Sequence, residues 1–304
     1  MNMSDAGLHP DGKLPPKLCF IGFGEAGQAF AGGLMQAGIR EVAAFDIAGH
    51  EARICVPAER LGVRLAADPA TALEGADYVF SAVTAESSLD AARRVAPLLG
   101  PHQLFVDVNS VSPGRKRAAA AAIGRPGGYL DLAIMAPVHP RQHQTPCLAA
   151  GPSAESFVAV FGDYGMNLSV AGPEIGAATQ VKMVRSVMVK GLEALCYECF
   201  AAARSAGIEA DILASLQRSY PGIAWRDVAS YNVSRMLDHG VRRAAEMREV
   251  ALTLRELGVE PAVTEGTVAQ QERLGRLALE TYPPDLEEML DLVRRELKDA
   301  NVLA

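Results

Sequence analysis

Residues 17–46, KLCFIGFGEAGQAFAGGLMQAGIREVAAFD, constrain what this chain can fold into more than any other stretch. They open on a short apolar run, Leu18 to Ile21, with the length and composition of a buried strand. The chain then turns on Gly22-Phe23-Gly24-Glu25-Ala26-Gly27 and enters an amphipathic helical pattern through Ala29, Phe30, Leu34 and Met35. A second strand-like run, Val42 to Phe45, ends on Asp46. Each part has a physical task in holding a dinucleotide. Gly22 allows the tight strand-to-helix turn, Gly24 lets the main chain approach a pyrophosphate, and Gly27 lets the helix pack close to the strand. The pyrophosphate would rest on free N–H groups at the positive end of the helix. Asp46 is placed to accept hydrogen bonds from the ribose hydroxyls and would repel a 2′-phosphate. No Arg or Lys follows it directly, so NAD is favoured; Arg53 keeps NADP open.

The alternation continues past Asp46. Helical residues around 51–60, a short run at 63–66, a helix opened by Asp68-Pro69, a strand at 78–83, a helix at 88–99 and a strand at 104–108 follow in order. Ser112-Pro113 caps a helix through Ala122, and runs at 132–138, 148–150 and 168–170, with a Ser153-capped helix, complete this part. Strands and helices alternating at this spacing predict a parallel sheet with right-handed crossovers, binding ligands beyond its C-terminal strand ends. Val83-Thr84, Asp107 to Ser110 and the segment after Leu130-Asp131 lie at such ends. From Glu174 to Ala206 there is no proline, and the pattern predicts one helix of about 45 Å. The remainder reads as helices, with breaks expected near Gly207, Pro221-Gly222, Gly240, Gly258-Pro261 and Pro283-Pro284. The expected division is therefore a lead-in over 1–16, an α/β domain over 17–172 and an all-helical domain over 173–304.

The 304 residues suffice for two such cores. A net charge of −7 without a basic stripe argues against nucleic acid as a partner, and no apolar stretch approaches a membrane span. The opening MNMSDAGLHPDGKLPP has neither a basic start nor an apolar core; it reads as a disordered lead-in rather than a signal peptide, and the expected location is cytoplasmic. Cys19, Cys55, Cys147, Cys196 and Cys199 form neither a disulfide nor a zinc framework, and no metal site is expected. His139 and His143 flank Arg141 on one loop, where they are open to substrate contact or simply solvated; a metal site would need further ligands.

An alcohol oxidised by hydride loss needs a base for its hydroxyl proton. On the long helix Lys182, Arg185 and Ser186 share one face, and apolar neighbours at Val181 and Val184 would disfavour the charged lysine, bringing it toward general-base range. The alternative is an ordinary lysine reaching to solvent.

Three blocks carry a resemblance to the β-hydroxyacid dehydrogenase family, relatives of the 3-hydroxyisobutyrate and 6-phosphogluconate dehydrogenases. They are GFGEAG, then DVNSVSP at Asp107 to Pro113, similar to the family's D-x-S-T-x-x-P, then GAATQVKMVRS at Gly176 to Ser186, similar to G-x-G-x-x-x-K-x-x-N-N. The C-terminal half resembles the subgroup carrying a domain named for phosphogluconate dehydrogenase. The resemblance implies a Rossmann-type NAD-binding domain joined by a long interdomain helix to an all-α C-terminal domain, and it puts Lys182 on the catalytic lysine. It implies that Asn109 and Ser110 meet substrate carboxylate or nicotinamide and that Val83 and Thr84 line the cofactor; the reading is a dehydrogenase of a small hydroxy acid or related alcohol.

Departures from the family pattern accompany the match. Ser186 stands for the family's asparagine, with Arg185 before it as a carboxylate clamp or a surface ion pair. Met135-Ala136-Pro137 replaces S-G-G, and the later K-D-L block falls near Ala245-Glu246-Met247. Two other readings stand beside the dehydrogenase: a ketone or imine reductase of the same fold, and a non-catalytic NAD-binding regulator. The apolar character of the long helix predicts a homodimer through the helical domain.

Overall fold

The structure, a computed structural model, describes residues 14–299; most of the expected lead-in over 1–16 lies outside the described residues. Eight strands form one sheet: β1 (Leu18–Ile21), β2 (Val42–Phe45), β3 (Arg64–Leu65), β4 (Tyr78–Ser81), β5 (Leu104–Asp107), β6 (Tyr129–Ile134), β7 (Cys147–Ala150) and β8 (Leu168–Gly172). Their order is β3-β2-β1-β4-β5-β6-β7-β8. Neighbours are parallel except β6 and β7, which pair antiparallel. The sheet is covered on both faces, as parallel strands require. Residues of alternate parity supply the two sides: Leu18, Phe20, Phe80, Val106 and Leu130 on one, Cys19, Ile21, Val79, Phe105 and Tyr129 on the other.

The strand order reverses between β1 and β4, and such a switch point opens a crevice at the C-terminal strand ends. Helix α1 (Glu25–Gln36) leaves β1 there. Four further helices follow, α2 (Ala52–Leu61), α3 (Pro69–Leu73), α4 (Ser88–Val95) and α5 (Pro113–Ile123), and α6 (Ala154–Gly162) precedes β8. Asp68 and Ser112 cap α3 and α5 as expected, accepting from the Thr71 and Arg115 N–H groups at 2.9 and 3.3 Å. Ser153 does not cap α6; its hydroxyl donates to the Gly127 carbonyl at 2.7 Å instead.

Helix α7 (Ala177–Ala206) is continuous, and α8 (Glu209–Ser219), α9 (Trp225–Glu256), α10 (Ala262–Gly275) and α11 (Leu286–Asp299) complete the chain. Two compact units divide it, Met1–Lys182 and Met183–Ala304. The division falls inside α7 rather than at residue 172, because the first turns of the helix are tied to the sheet. The Thr179 N–H donates to Asp131 Oδ2 at 2.9 Å, and Ala178 packs with Ala133 and Ala150.

In the second unit the core is built on Phe200, Val233, Met236, Leu290 and Val293. Gly240 was an expected break, yet α9 runs straight through it. A Cβ at Gly240 would lie 2.2 Å from the Gln271 carbonyl oxygen, and one at Gly275 would lie 2.4 Å from the Val241 nitrogen. The two glycines therefore let α9 and α10 cross with their main chains in contact. No helix among the described residues is long and apolar enough to cross a membrane.

Candidate active site

The glycine turn shows two different reasons for glycine. Gly22 has φ +88°, and a Cβ there would sit 2.4 Å from the Ala82 carbonyl oxygen; the protein itself demands glycine at this position. A Cβ on Gly27 would lie 2.8 Å from the Gly22 oxygen, so the helix is pressed against the turn. Gly24 differs. Its backbone is extended, and a Cβ would meet no atom of the described residues within 4 Å. The space above Gly24 is open, as a bound pyrophosphate requires, and α1 starts there with no side chain capping its N–H groups. These features fit a dinucleotide.

Asp46 is braced rather than loose. Its Oδ2 accepts from the Phe23 N–H at 2.7 Å and its Oδ1 from the Ala48 N–H at 2.8 Å. The carboxylate thereby links the end of β2 to the glycine turn. Among the other residues expected at the cofactor, Phe23 is a correction at the side-chain level. Its ring is fully buried in the core, stacked edge-on near Phe20, so only its main chain is available to a ligand. Glu25 is exposed, Ala26 is half-buried, and Thr84 is exposed with its hydroxyl donating to Ser87 at 3.1 Å.

At the end of β5, Asn109 is turned inward. It is 4% exposed, its Oδ1 accepts from the Val83 N–H at 2.8 Å, and its Nδ2 donates to Ser81 Oγ at 3.0 Å. It braces the strand ends of β4 and β5 and fixes the Val83-Thr84 turn. Ser110, the next residue, is half-buried, and Lys182 Nζ donates to its hydroxyl at 2.5 Å. Two motifs 72 residues apart in sequence thus meet at one hydrogen bond. Cys147 lies near enough to feel the Lys182 charge, but burial dominates and pushes its thiol up to about 12, leaving it protonated at neutral pH.

The remaining expected residues separate. Ser186 is buried in the second unit, where Lys190 Nζ approaches its hydroxyl at 3.5 Å and pairs with Glu246 at 2.8 Å. Arg185 is exposed. His139 is exposed on the loop after β6, while His143 of the same loop is buried against α1, so close that a Cβ on Gly33 would lie 2.1 Å from its Nδ1. That burial lowers the His143 pKa. The loop is a packing element on α1, which accounts for His143 without substrate.

Sequence reasoning passed over Lys116, which is fully buried beside Asp107 and Asp131. The signal was present: two aspartates inside apolar strands need a cation or hydrogen-bond donors to remain buried as carboxylates.

Comparison with known proteins follows the same lines. Residues 17–110 match the family model "NADP oxidoreductase coenzyme F420-dependent", and residues 203–274 match a domain of unknown function, DUF1932. A conserved hypothetical protein of Sinorhizobium meliloti 1021 is 34% identical, over 94% of this chain and 98% of its own, with a TM-score of 0.75. MTH1747, a conserved protein of unknown function whose structure is similar to 3-hydroxyacid dehydrogenases, is 32% identical over 86% of this chain and 98% of its own, with a TM-score of 0.70. The 3-hydroxyisobutyrate dehydrogenase of Mycobacterium tuberculosis, solved with L-serine, covers 92% of this chain and 100% of its own at a TM-score of 0.70; at 17% identity it speaks for the fold alone. With an NAD(P)-binding sheet, a helical second unit and full-length relatives of this kind, the chain belongs to the β-hydroxyacid dehydrogenase family.

Proposed function

We propose that this protein is a dehydrogenase that oxidises a small hydroxy acid or related alcohol with NAD. The observation that carries the reading is the Lys182–Ser110 contact at the C-terminal edge of the sheet that bears the dinucleotide turn. A nicotinamide dinucleotide supplies the hydride acceptor. The glycine turn, the start of α1 and Asp46 hold that group; the Val83-Thr84 turn, braced by Asn109, borders it. Ser110 orients the substrate hydroxyl, and the Lys182 amine serves as the base that takes its proton. His139 is the loop residue available to an anionic substrate. Incubation with NAD and a set of 2- and 3-hydroxy acids, aryl-substituted ones included, tests the reading by the appearance of NADH. Reduction of ketones or imines with NADH, and no oxidation, would favour the reductase instead. Tight cofactor binding without turnover in either direction would favour the regulator.

Asp46 supports NAD as the cofactor of this proposal. A carboxylate fixed by two main-chain N–H groups meets ribose hydroxyls favourably and a 2′-phosphate unfavourably. Arg53, the nearby cation, is paired with Glu51 at 2.6 Å. NADH is expected to bind at least about tenfold tighter than NADPH, a difference of roughly 1.4 kcal/mol. Asp46→Ala narrows that ratio, as read by quenching of protein fluorescence with each nucleotide.

The same reading includes a homodimer. Val181, Val184, Met188 and Leu195 are 49%, 44%, 74% and 59% exposed on α7, an apolar stripe unusual on a monomer surface. Sedimentation velocity at micromolar concentration is expected to give a dimer, and Met188→Lys to shift it toward monomer.

A further inference from the structure

The buried charges under the Lys182–Ser110 contact form one closed arrangement within the first unit. Asp107 on β5 and Asp131 on β6 are register partners on adjacent parallel strands, and both are fully buried. Two carboxylates side by side in an apolar interior repel, and neither can be hydrated there. Lys116, on α5, reaches back between them. Its Nζ donates to Asp107 Oδ1 at 2.9 Å and to the Asp107 carbonyl at 2.7 Å, and lies 3.3 Å from Asp131 Oδ1. The Tyr129 hydroxyl donates to the second oxygen of Asp107 at 2.6 Å.

A buried ion pair can serve packing alone. What the carboxylates do with their remaining capacity points further. Asp107 Oδ1 also accepts from the Asn109 N–H at 2.9 Å, fixing the loop that presents Ser110. Asp131 Oδ2 accepts from the Thr179 N–H at 2.9 Å, fixing the first turn of α7, one turn before Lys182. The free N–H groups of a helix start favour a carboxylate there. Each aspartate thus holds one half of the Lys182–Ser110 pair, and Lys116 holds the aspartates.

We propose that Lys116 is a positioning residue: clamped between Asp107 and Asp131, it keeps the Ser110 loop and the start of the Lys182 helix at one spacing, so that the amine meets the hydroxyl. The proposal rests on the reading of Lys182 as the base, and it concerns the geometry of that base rather than its identity. Misplacement of a reacting group by about an ångström costs on the order of a hundredfold in rate, which is the scale on which such a clamp acts.

The test uses the full chain, with Asp131→Asn and Lys116→Met. Asp131→Asn is nearly isosteric and keeps an oxygen for the Thr179 N–H, so it answers the question even if Lys116→Met fails to fold. Competitive acetylation across a pH series, read by mass spectrometry, gives the pH dependence of Lys182 reactivity, with exposed Lys17 as the internal standard. The expected result is a displacement of the Lys182 curve by at least about half a pH unit. The Lys17 curve stays fixed and NADH affinity stays within about threefold of wild type. With an oxidised substrate in hand, kcat falls about tenfold to a hundredfold while KM for NAD changes little. A folded Asp131→Asn protein whose Lys182 curve superimposes on wild type overturns the proposal. A displaced curve with kcat unchanged from wild type supports the clamp and counts against Lys182 as a base, so the two failures are told apart.

Discussion

Gly24→Ala is expected to weaken dinucleotide binding about a hundredfold, roughly 2.7 kcal/mol, while unfolding stability stays within about 1 kcal/mol of wild type. The two halves of that result come from one observation. Gly24 has an extended backbone that alanine adopts freely, and a Cβ there touches no atom of the described residues within 4 Å. The methyl group therefore occupies space that only a ligand would contest. Gly22→Ala makes the contrast. That residue has φ +88°, and its Cβ would stand 2.4 Å from the Ala82 carbonyl oxygen. Left-handed strain and overlap with main chain together cost about 2–5 kcal/mol, so this variant loses stability first and binding with it. Chemical denaturation and NADH titration on both variants separate a glycine required by the fold from one required by the cofactor. Equal NADH affinity in wild type and Gly24→Ala would remove the pyrophosphate from this turn.

Lys182→Ala is expected to lower kcat by about 10²–10⁴ with NADH affinity changed by less than about threefold. The amine donates to Ser110 and lies far along the chain from the glycine turn and Asp46, the residues proposed to hold the dinucleotide. Removing it takes the proton acceptor and leaves the glycine turn and Asp46 intact. Ser110→Ala is the milder companion, because it loses the orienting hydroxyl but keeps the base. Its expected loss is about tenfold to a hundredfold. Stopped-flow measurement of the first turnover assigns both effects to the chemical step. A loss in both variants that tracks weaker NADH binding would mean that the pair serves the cofactor rather than the substrate.

Much of this was legible in the sequence, for reasons that differ by element. The strand–turn–helix at 17–46 is dictated by local chemistry: apolar runs of strand length and glycines at the turn, with Asp46 ending the second run. The structure follows it closely, with β1, α1 and β2 in the expected places. The long helix was equally readable, since 30 residues without proline leave little else to form. Non-local features were harder. Nothing in Cys147 to Ala150 says that β7 runs against β6, because the four residues would pair in either direction. Gly240 reads as a helix break, and only the approach of Gly275 from another helix explains why it is not. Asn109 and Ser110 are adjacent polar residues in sequence. One turns inward to brace two strands and the other meets Lys182, a division made by the pleat at the end of β5. Lys116 hides in an alanine-rich helix, and its partners lie on two separate strands.

The central claim is that a lysine on the long helix serves as base for NAD-linked oxidation of a small hydroxy acid. NADH fluorescence across a panel of 2- and 3-hydroxy acids, with wild type and Lys182→Ala side by side, tests it most directly. Wild type is expected to form NADH with at least one class of the panel, and the variant to lose two or more orders of magnitude. Equal rates in the two proteins would contradict it.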